Sequence, residues 1–414
     1  IGHGVLSQGS GNWNVAIGWE ACKWQTGTEN VAIGIQSLHY GNTCNYNTAV
    51  GAWAMQGNAS SPSTGDNNTA LGYKALNVND TGANNTAVGT NSLDANTTGS
   101  QNVAVGQASL GASTTAANNT AVGYSALGSN TTASNNTAIG HAVLTSATTA
   151  TENTAVGRAS MINTTTGGYN VALGSGSLYT NITGANNVAV GRDALLMSTA
   201  SDNTAVGKHA LTANTTGTLN TAVGANALDA NTTGDHNVAT GNNALGANTT
   251  GAANTAIGDR ALQTNSTASN NTGIGYKALE LNTTGFQNVA VGSISLDANT
   301  EGYKNTALGH ATLSSNTTGL ENTALGHNSL AANTTANYNV AVGRSALAAN
   351  TTGAENVAVG AFSLDANTTG EDNVAIGKNA LGANTSGEDN IAIGSSALFT
   401  NTTGEDNIAI GKSA

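Results

Sequence analysis

A 17-residue unit, Asn-Thr-Ala-Val-Gly-Ala-Asn-Ala-Leu-Asp-Ala-Asn-Thr-Thr-Gly-Asp-His at residues 220–236, recurs along nearly the whole chain. Its core, Asn-[Thr/Val/Ile]-Ala-[Val/Ile/Leu]-Gly, appears 24 times, closing at Gly18 first and at Gly411 last. The spacing is 17 residues except for two intervals of 16 and one of 21. A partial copy is expected at Ile1-Gly2. Periodicity of this kind constrains the fold more than length does, because each unit must be one structural element stacked on its neighbours.

Each place in the unit has a physical reason. Glycine ends a short strand where the chain turns sharply, with positive φ expected. The residue two before it is Ala in every copy but one (Gly273), so its side chain faces a space too small for anything larger. The residues on either side of that Ala are β-branched or Leu, with Thr240 the one polar residue before the glycine, as suits a pleated surface. Asn opens every copy, and in a parallel stack such a column predicts an amide ladder with rungs about 4.8 Å apart. Asn85, Asn102, Asn119, Asn136, Asn220, Asn237 and Asn254 are representative rungs. A small-Leu pair such as Ala227-Leu228 predicts a second strand that supplies the large core residue. Asn-Thr-Thr-Gly predicts the second turn.

The expected fold is therefore all-β: a parallel β-solenoid of about 24–25 coils of 17 residues, with two short strands per coil. Residues 1–414 form one elongated solenoid about 115 Å long, with no separate globular domain. Residues 1–60 are atypical first coils containing the Trp and Cys residues, and 52–71 is a longer coil with an inserted loop around Pro62. Alternation leaves two arrangements open. Either Ala faces the interior and an outward Val/Ile stripe is covered by three chains wrapped together, or Val, Ile and Leu fill the interior of a single chain.

At Asn-Val-Ala-Ile-Gly (14–18, 30–34, 373–377) and Asn-Ile-Ala-Ile-Gly (390–394, 407–411) the chain resembles the head repeats of YadA-type trimeric autotransporter adhesins. The longer unit, Asn-Thr-Ala-Ile-Gly-x-x-Ala-Leu-x-x-Asn-Thr-Thr-Gly, is also similar to the repetitive shafts of bacterial and phage tail-fibre-like proteins. The resemblance covers almost all of the chain. It implies a left-handed parallel β-roll, three chains about one axis, and surface display.

Composition narrows the function. Net charge is −12 and only 8% of residues are charged, so no basic stripe exists to neutralise a nucleic acid. No run of about 18 apolar residues is present, so no membrane insertion is expected in this segment. The chain opens without Met and stops partway through a unit, and is read as a segment of something longer. A catalytic constellation needs a pocket, which a column of uniform coils does not provide, so no enzyme activity or cofactor is expected.

Three groups could still carry chemistry. Glu371, Asp372, Glu388, Asp389, Glu405 and Asp406 share a place in three successive coils; they read as a solvated acidic edge or, more weakly, as a calcium column. The seven histidines are scattered over turns and read as solvated surface residues, although His310 and His327 stack one coil apart as a weak transition-metal pair. Cys22 stands where Leu stands elsewhere and reads as a buried hydrophobe rather than a disulfide partner of Cys44.

Asn-x-Ser/Thr recurs in the second turn at Asn96, Asn130, Asn163, Asn214, Asn231, Asn248, Asn282, Asn316, Asn333, Asn350, Asn367, Asn384 and Asn401. These are candidate glycosylation sites, or simply good turn chemistry. Asn181 and Asn265 share the pattern, as do Asn58, Asn67, Asn79, Asn84, Asn118, Asn135 and Asn270. Trp13, Trp19, Trp24 and Trp53 all fall in the first coils, where they cap an end or dock a neighbour, or line a sugar groove.

The expectation is a non-enzymatic structural or adhesive fibre shaft, extracellular, on a cell surface or a virion. It would self-associate as a homotrimer or end-to-end filament and bind a surface glycan or another host-surface ligand through many weak contacts. The rival is an ice-binding β-solenoid presenting ranks of Thr.

Overall fold

The computed structural model describes residues 2–414. It is a parallel β-solenoid of 17-residue coils with no helix among the described residues. Of the partial first copy, Ile1 lies outside the described residues, while Gly2 sits against Gly18, the glycine of the next coil. Two compact units divide the chain, one ending at Ala205 and the other beginning at Val206. Coil positions are counted below from the opening Asn, so that Asn220 is position 1 and His236 position 17.

In the first unit, three-residue strands run from Val15–Ile17 to Val188–Val190 and pair in parallel register, Ala on Ala, as in Val103↔Thr120, Ala104↔Ala121 and Val105↔Val122. The second unit repeats this from Thr221–Val223 to Ile408–Ile410, for example Thr221↔Val238, Ala222↔Ala239 and Val223↔Thr240. The central residue of every strand faces inward, and the two flanking it face out. Of the two placements left open by alternation, Ala faces the interior and the strand's Val and Ile face out, while Leu from the second leg is also inside. The space is tight: a methyl added at Gly273, the exceptional copy, would lie 3.1 Å from the Ala278 carbonyl oxygen and 3.3 Å from Leu262 Cγ.

Among the described residues the second expected strand is absent, and each coil has one. Positions 7 and 9 both adopt left-handed backbone, as at Asn226 (φ 55°) and Leu228 (φ 51°), so the chain winds where an extended strand was expected. Its bonds to neighbouring coils then alternate in direction. Leu228 N–H donates forward to Ala244 O at 3.0 Å, Asn226 N–H donates back to Lys208 O at 3.0 Å, and Ala227 N–H turns onto Gly224 O. Leucine in this conformation costs about 1–2 kcal/mol. That cost is offset because the winding points Leu228 fully inward, where burying an isobutyl group contributes about 1.5–3 kcal/mol. Position 5 needs glycine for two reasons: Gly224 has φ 139°, and a Cβ there would strike the Gly241 carbonyl one coil on.

Only positions 1, 3, 8, 9, 12 and 15 are buried in a regular coil: Asn220, Ala222, Ala227, Leu228, Asn231 and Gly234. One large apolar side chain per coil makes a thin core, and a coil of this kind is stable only through its neighbours.

Candidate functional site

Because the interior is so narrow, its polar content matters as much as its leucines. Two asparagine columns line it. In the position 1 column, Asn237 N–H and Asn237 Nδ2 both donate to Asn220 Oδ1, at 2.9 and 3.2 Å, and Nδ2 also reaches Gly251 O at 2.8 Å. Asn254 repeats this on Asn237. In the first unit Asn102, Asn119 and Asn136 each do so on the Asn before, and Asn85 N–H donates to Asn68 Oδ1. The expected amide ladder is present.

The second column, at position 12, was not foreseen. Asn231 Nδ2 donates to Asn214 Oδ1 at 2.9 Å and to Gly234 O at 3.0 Å, which uses both of its hydrogens. Asn248, Asn282, Asn316, Asn333, Asn350, Asn367 and Asn384 repeat that pair of bonds and are fully buried.

These are the second-turn sequon residues, so their amides lie inside the coil rather than on its edge. Asn96 and Asn130 are buried as well, and Asn401 is half-buried with its Nδ2 on Asn384 Oδ1 and Gly404 O. Asn163 differs because its coil is shifted by one residue. Thr164 fills position 12, and Asn163 is exposed with its Nδ2 on Tyr179 O. The other exposed sequons are Asn58 and the position 17 residues Asn67, Asn84, Asn118, Asn135 and Asn270.

Outside, position 4 forms an apolar column in each unit: Leu71, Ile139 and Leu173 in the first, Val223, Ile257, Leu308 and Ile376 in the second, each more than a third exposed. The second turn presents Thr at positions 13 and 14. The position 13 hydroxyl is spent on the next coil, as Thr232 Oγ1 donates to Thr249 O at 3.0 Å. The position 14 column, Thr216, Thr233 and Thr250, is exposed.

The six C-terminal carboxylates are exposed and stacked, Asp389 N–H on Glu371 O and Asp406 N–H on Glu388 O. Among the described residues no three His, Cys, Asp or Glu side chains converge as a metal would require. His310 and His327 stack with ring centroids 5.3 Å apart and planes 10° off parallel. His39 departs from the expected solvated set. It is buried, and burial lowers its pKa below the usual imidazole value despite its contact with Glu20 O. Cys22 and Cys44 are buried free thiols, pushed up by burial to about 12 and about 11, and Gln25 Nε2 donates to Cys44 O.

Register, burial and the amide columns define the class: a parallel β-solenoid repeat protein with asparagine-lined coils. No family model matches this chain, and no curated protein matches its sequence.

Proposed function

We propose that the chain is a non-enzymatic shaft, a stack of rigid coils whose outer faces mediate self-association and surface attachment, acting outside the cell or on a virion. The carrying observation is the position 4 column. Val, Ile or Leu recurs there in every coil except at Thr240, with nothing among the described residues covering it, and a long apolar stripe on a protein surface marks an interaction face. Copies of the same chain are its natural cover, because their stripes share one rung spacing, and three copies about an axis would shield all three. Attachment would then rest on many weak repeated contacts. If the shaft carries N-linked sugar, the accessible asparagines are Asn58, Asn67, Asn84, Asn118, Asn135, Asn163 and Asn270.

Sedimentation velocity tests this reading. The expected mass is three times 40.7 kDa, returning to the monomer in an Ile257→Lys/Ile376→Lys variant. A wild-type monomer would end the self-association reading. The exposed Thr column at position 14 favours ice binding as the second reading. Thermal hysteresis in the wild type, lost on Thr233→Val/Thr250→Val, would replace the first.

A further inference from the structure

The chain departs from its repeat most at one place, and the departures converge. Position 11 is small in most coils, Ala230, Ala247 and Ala298 for example. In three consecutive coils of the first unit it is Gln8, Trp24 and Tyr40, in register because Gln8 N–H donates to Lys23 O, Trp24 N–H to His39 O and Tyr40 N–H to Gln56 O. The fourth place in the column is Gly57, whose missing side chain would press on Tyr40 Cβ at 3.2 Å. Directly after Gly57 comes the only long interval in the repeat. Its extra residues fold into a tight turn, Ser61 N–H on Asn58 O, and rejoin the stack where Ser63 bridges Gly41.

That turn places Ala59 and Pro62, the only proline in the chain, opposite the Trp24–Tyr40 column. Between them is an open cavity of about 470 Å³, within the range of small-ligand sites, about 300–1,000 Å³. Its floor includes Thr26 and Asn42, joined by Thr26 Oγ1 donating to Asn42 O at 2.8 Å. Among the described residues no charged side chain lines it, and Lys23, whose Nζ lies 5.7 Å from the Trp24 ring centroid, is paired with Glu20. Trp24 Nε1, Tyr40 Oη, Asn42 Nδ2 and the Gln8 amide make no hydrogen bond to any described residue, and Trp24 is 44% exposed.

We propose that this cavity is a binding site for a neutral saccharide. Aromatic faces bury the apolar C–H side of a sugar ring, and free side-chain amides offer a donor and an acceptor to neighbouring hydroxyls. The absence of lining charge disfavours acidic sugars. A proline-rich peptide suits aromatic walls too, but proline has no N–H to satisfy the Gln8 side-chain oxygen, whereas hydroxyls both donate to it and accept from Asn42 Nδ2. The assignment deepens the attachment half of the proposed function and rests on it, and it is independent of self-association.

The test is calorimetric titration of the whole chain with maltohexaose, cellohexaose, mannohexaose and N-acetylchitohexaose, alongside decaproline and a sialylated oligosaccharide. At least one neutral oligosaccharide should bind. Trp24→Ala and Tyr40→Ala should each weaken it by about tenfold or more, Trp24→Phe should recover part of the loss, and Trp19→Ala should leave it unchanged. Circular dichroism establishes that the variants are folded. Overturning results are no neutral saccharide bound, decaproline or the sialylated sugar bound in preference, or binding that survives Trp24→Ala. Sedimentation of the same samples separates the two readings: a monomer that binds sugar refutes only self-association, and an assembled chain that binds none refutes only this site.

Discussion

The two units share one strand motif yet fill position 12 differently, and the difference shows what an asparagine column depends on. In the second unit the column is Asn at every coil from Asn214 to Asn401, and from Asn231 on each Nδ2 donates to the Oδ1 before it. In the first unit, from the coil opened by Asn68 on, it reads Asn79, Asn96, Ser113, Asn130, Ala147, Thr164, Asn181, Ser198, and one amide-to-amide bond, Asn96 to Asn79, is made. The short residues leave Asn96 Oδ1, Ser113 Oγ and Thr164 Oγ1 buried without a partner. Where the next coil offers no amide, Asn130 and Asn181 turn their Oδ1 back onto the N–H at position 15 of their own turn. The same side chain thus closes a local turn or ties two coils, and its neighbour decides which. An unmade buried hydrogen bond costs about 1–3 kcal/mol, so the first unit should be the weaker of the two at this column.

Four experiments press on that contrast. The largest effect is expected from Asn282→Ala. It removes donors to Asn265 Oδ1 and Gly285 O and strips Asn299 Nδ2 of its acceptor, so the surrounding coils should lose about 3 kcal/mol in native-state hydrogen exchange. Asn181→Ala, outside any amide-to-amide run, should lose distinctly less. Equal losses would remove the distinction between ladder and local turn. Next is a repair: Ser113→Asn places an amide beside the orphaned Asn96 Oδ1 and should raise first-unit protection by about 1 kcal/mol with no change in the second. A third test concerns the winding second leg, where Ile294 is a β-branched residue at φ 50°. Asn tolerates that conformation, so Ile294→Asn should stabilise by about 0.5–1 kcal/mol, read as a rise in melting temperature.

The smallest effect is the response to pH, with opposite signs at the raised carboxyls and at His39. Burial raises the carboxyls of Asp229, Asp297 and Asp365 in the second unit and of Asp94 in the first. A raised acid contributes stability in full below its unfolded pKa and loses it as pH rises through the folded value. His39 is lowered, so its contribution is present above the unfolded imidazole pKa and is lost as pH falls. Acidification from about pH 7 to about pH 4 should therefore favour the second unit and weaken the coils around His39. Exchange measured at both pH values reads the two signs separately, and parallel changes would sink this account.

Much of the coil was legible because its period was. The Ala at position 3 and the Asn at position 1 both follow from a three-residue strand stacked on itself. The winding second leg was not, since Leu228 sits in a backbone conformation that leucine disfavours locally and that only its buried pocket selects. Nor was the direction of Asn231. Asn-Thr-Thr-Gly is sound turn chemistry whether the amide faces in or out, and the one clue was its near-invariance through the second half of the chain. The cavity at Trp24 and Tyr40 was hidden by spacing. The two residues share a coil position only when their interval is counted as 16 residues, and the loop opposite them was legible as an insertion but not as a wall.

From Asn231 on in one column and from Asn237 on in the other, the amide-to-amide bonds point the same way, from the later asparagine back to the earlier one. Each column is therefore a vector with a donor face and an acceptor face. A further coil, whether from this chain or another, can extend it only when threaded in the same sense. Stacking donor face to donor face would set amide hydrogens against amide hydrogens, so growth along such a column is one-way by construction.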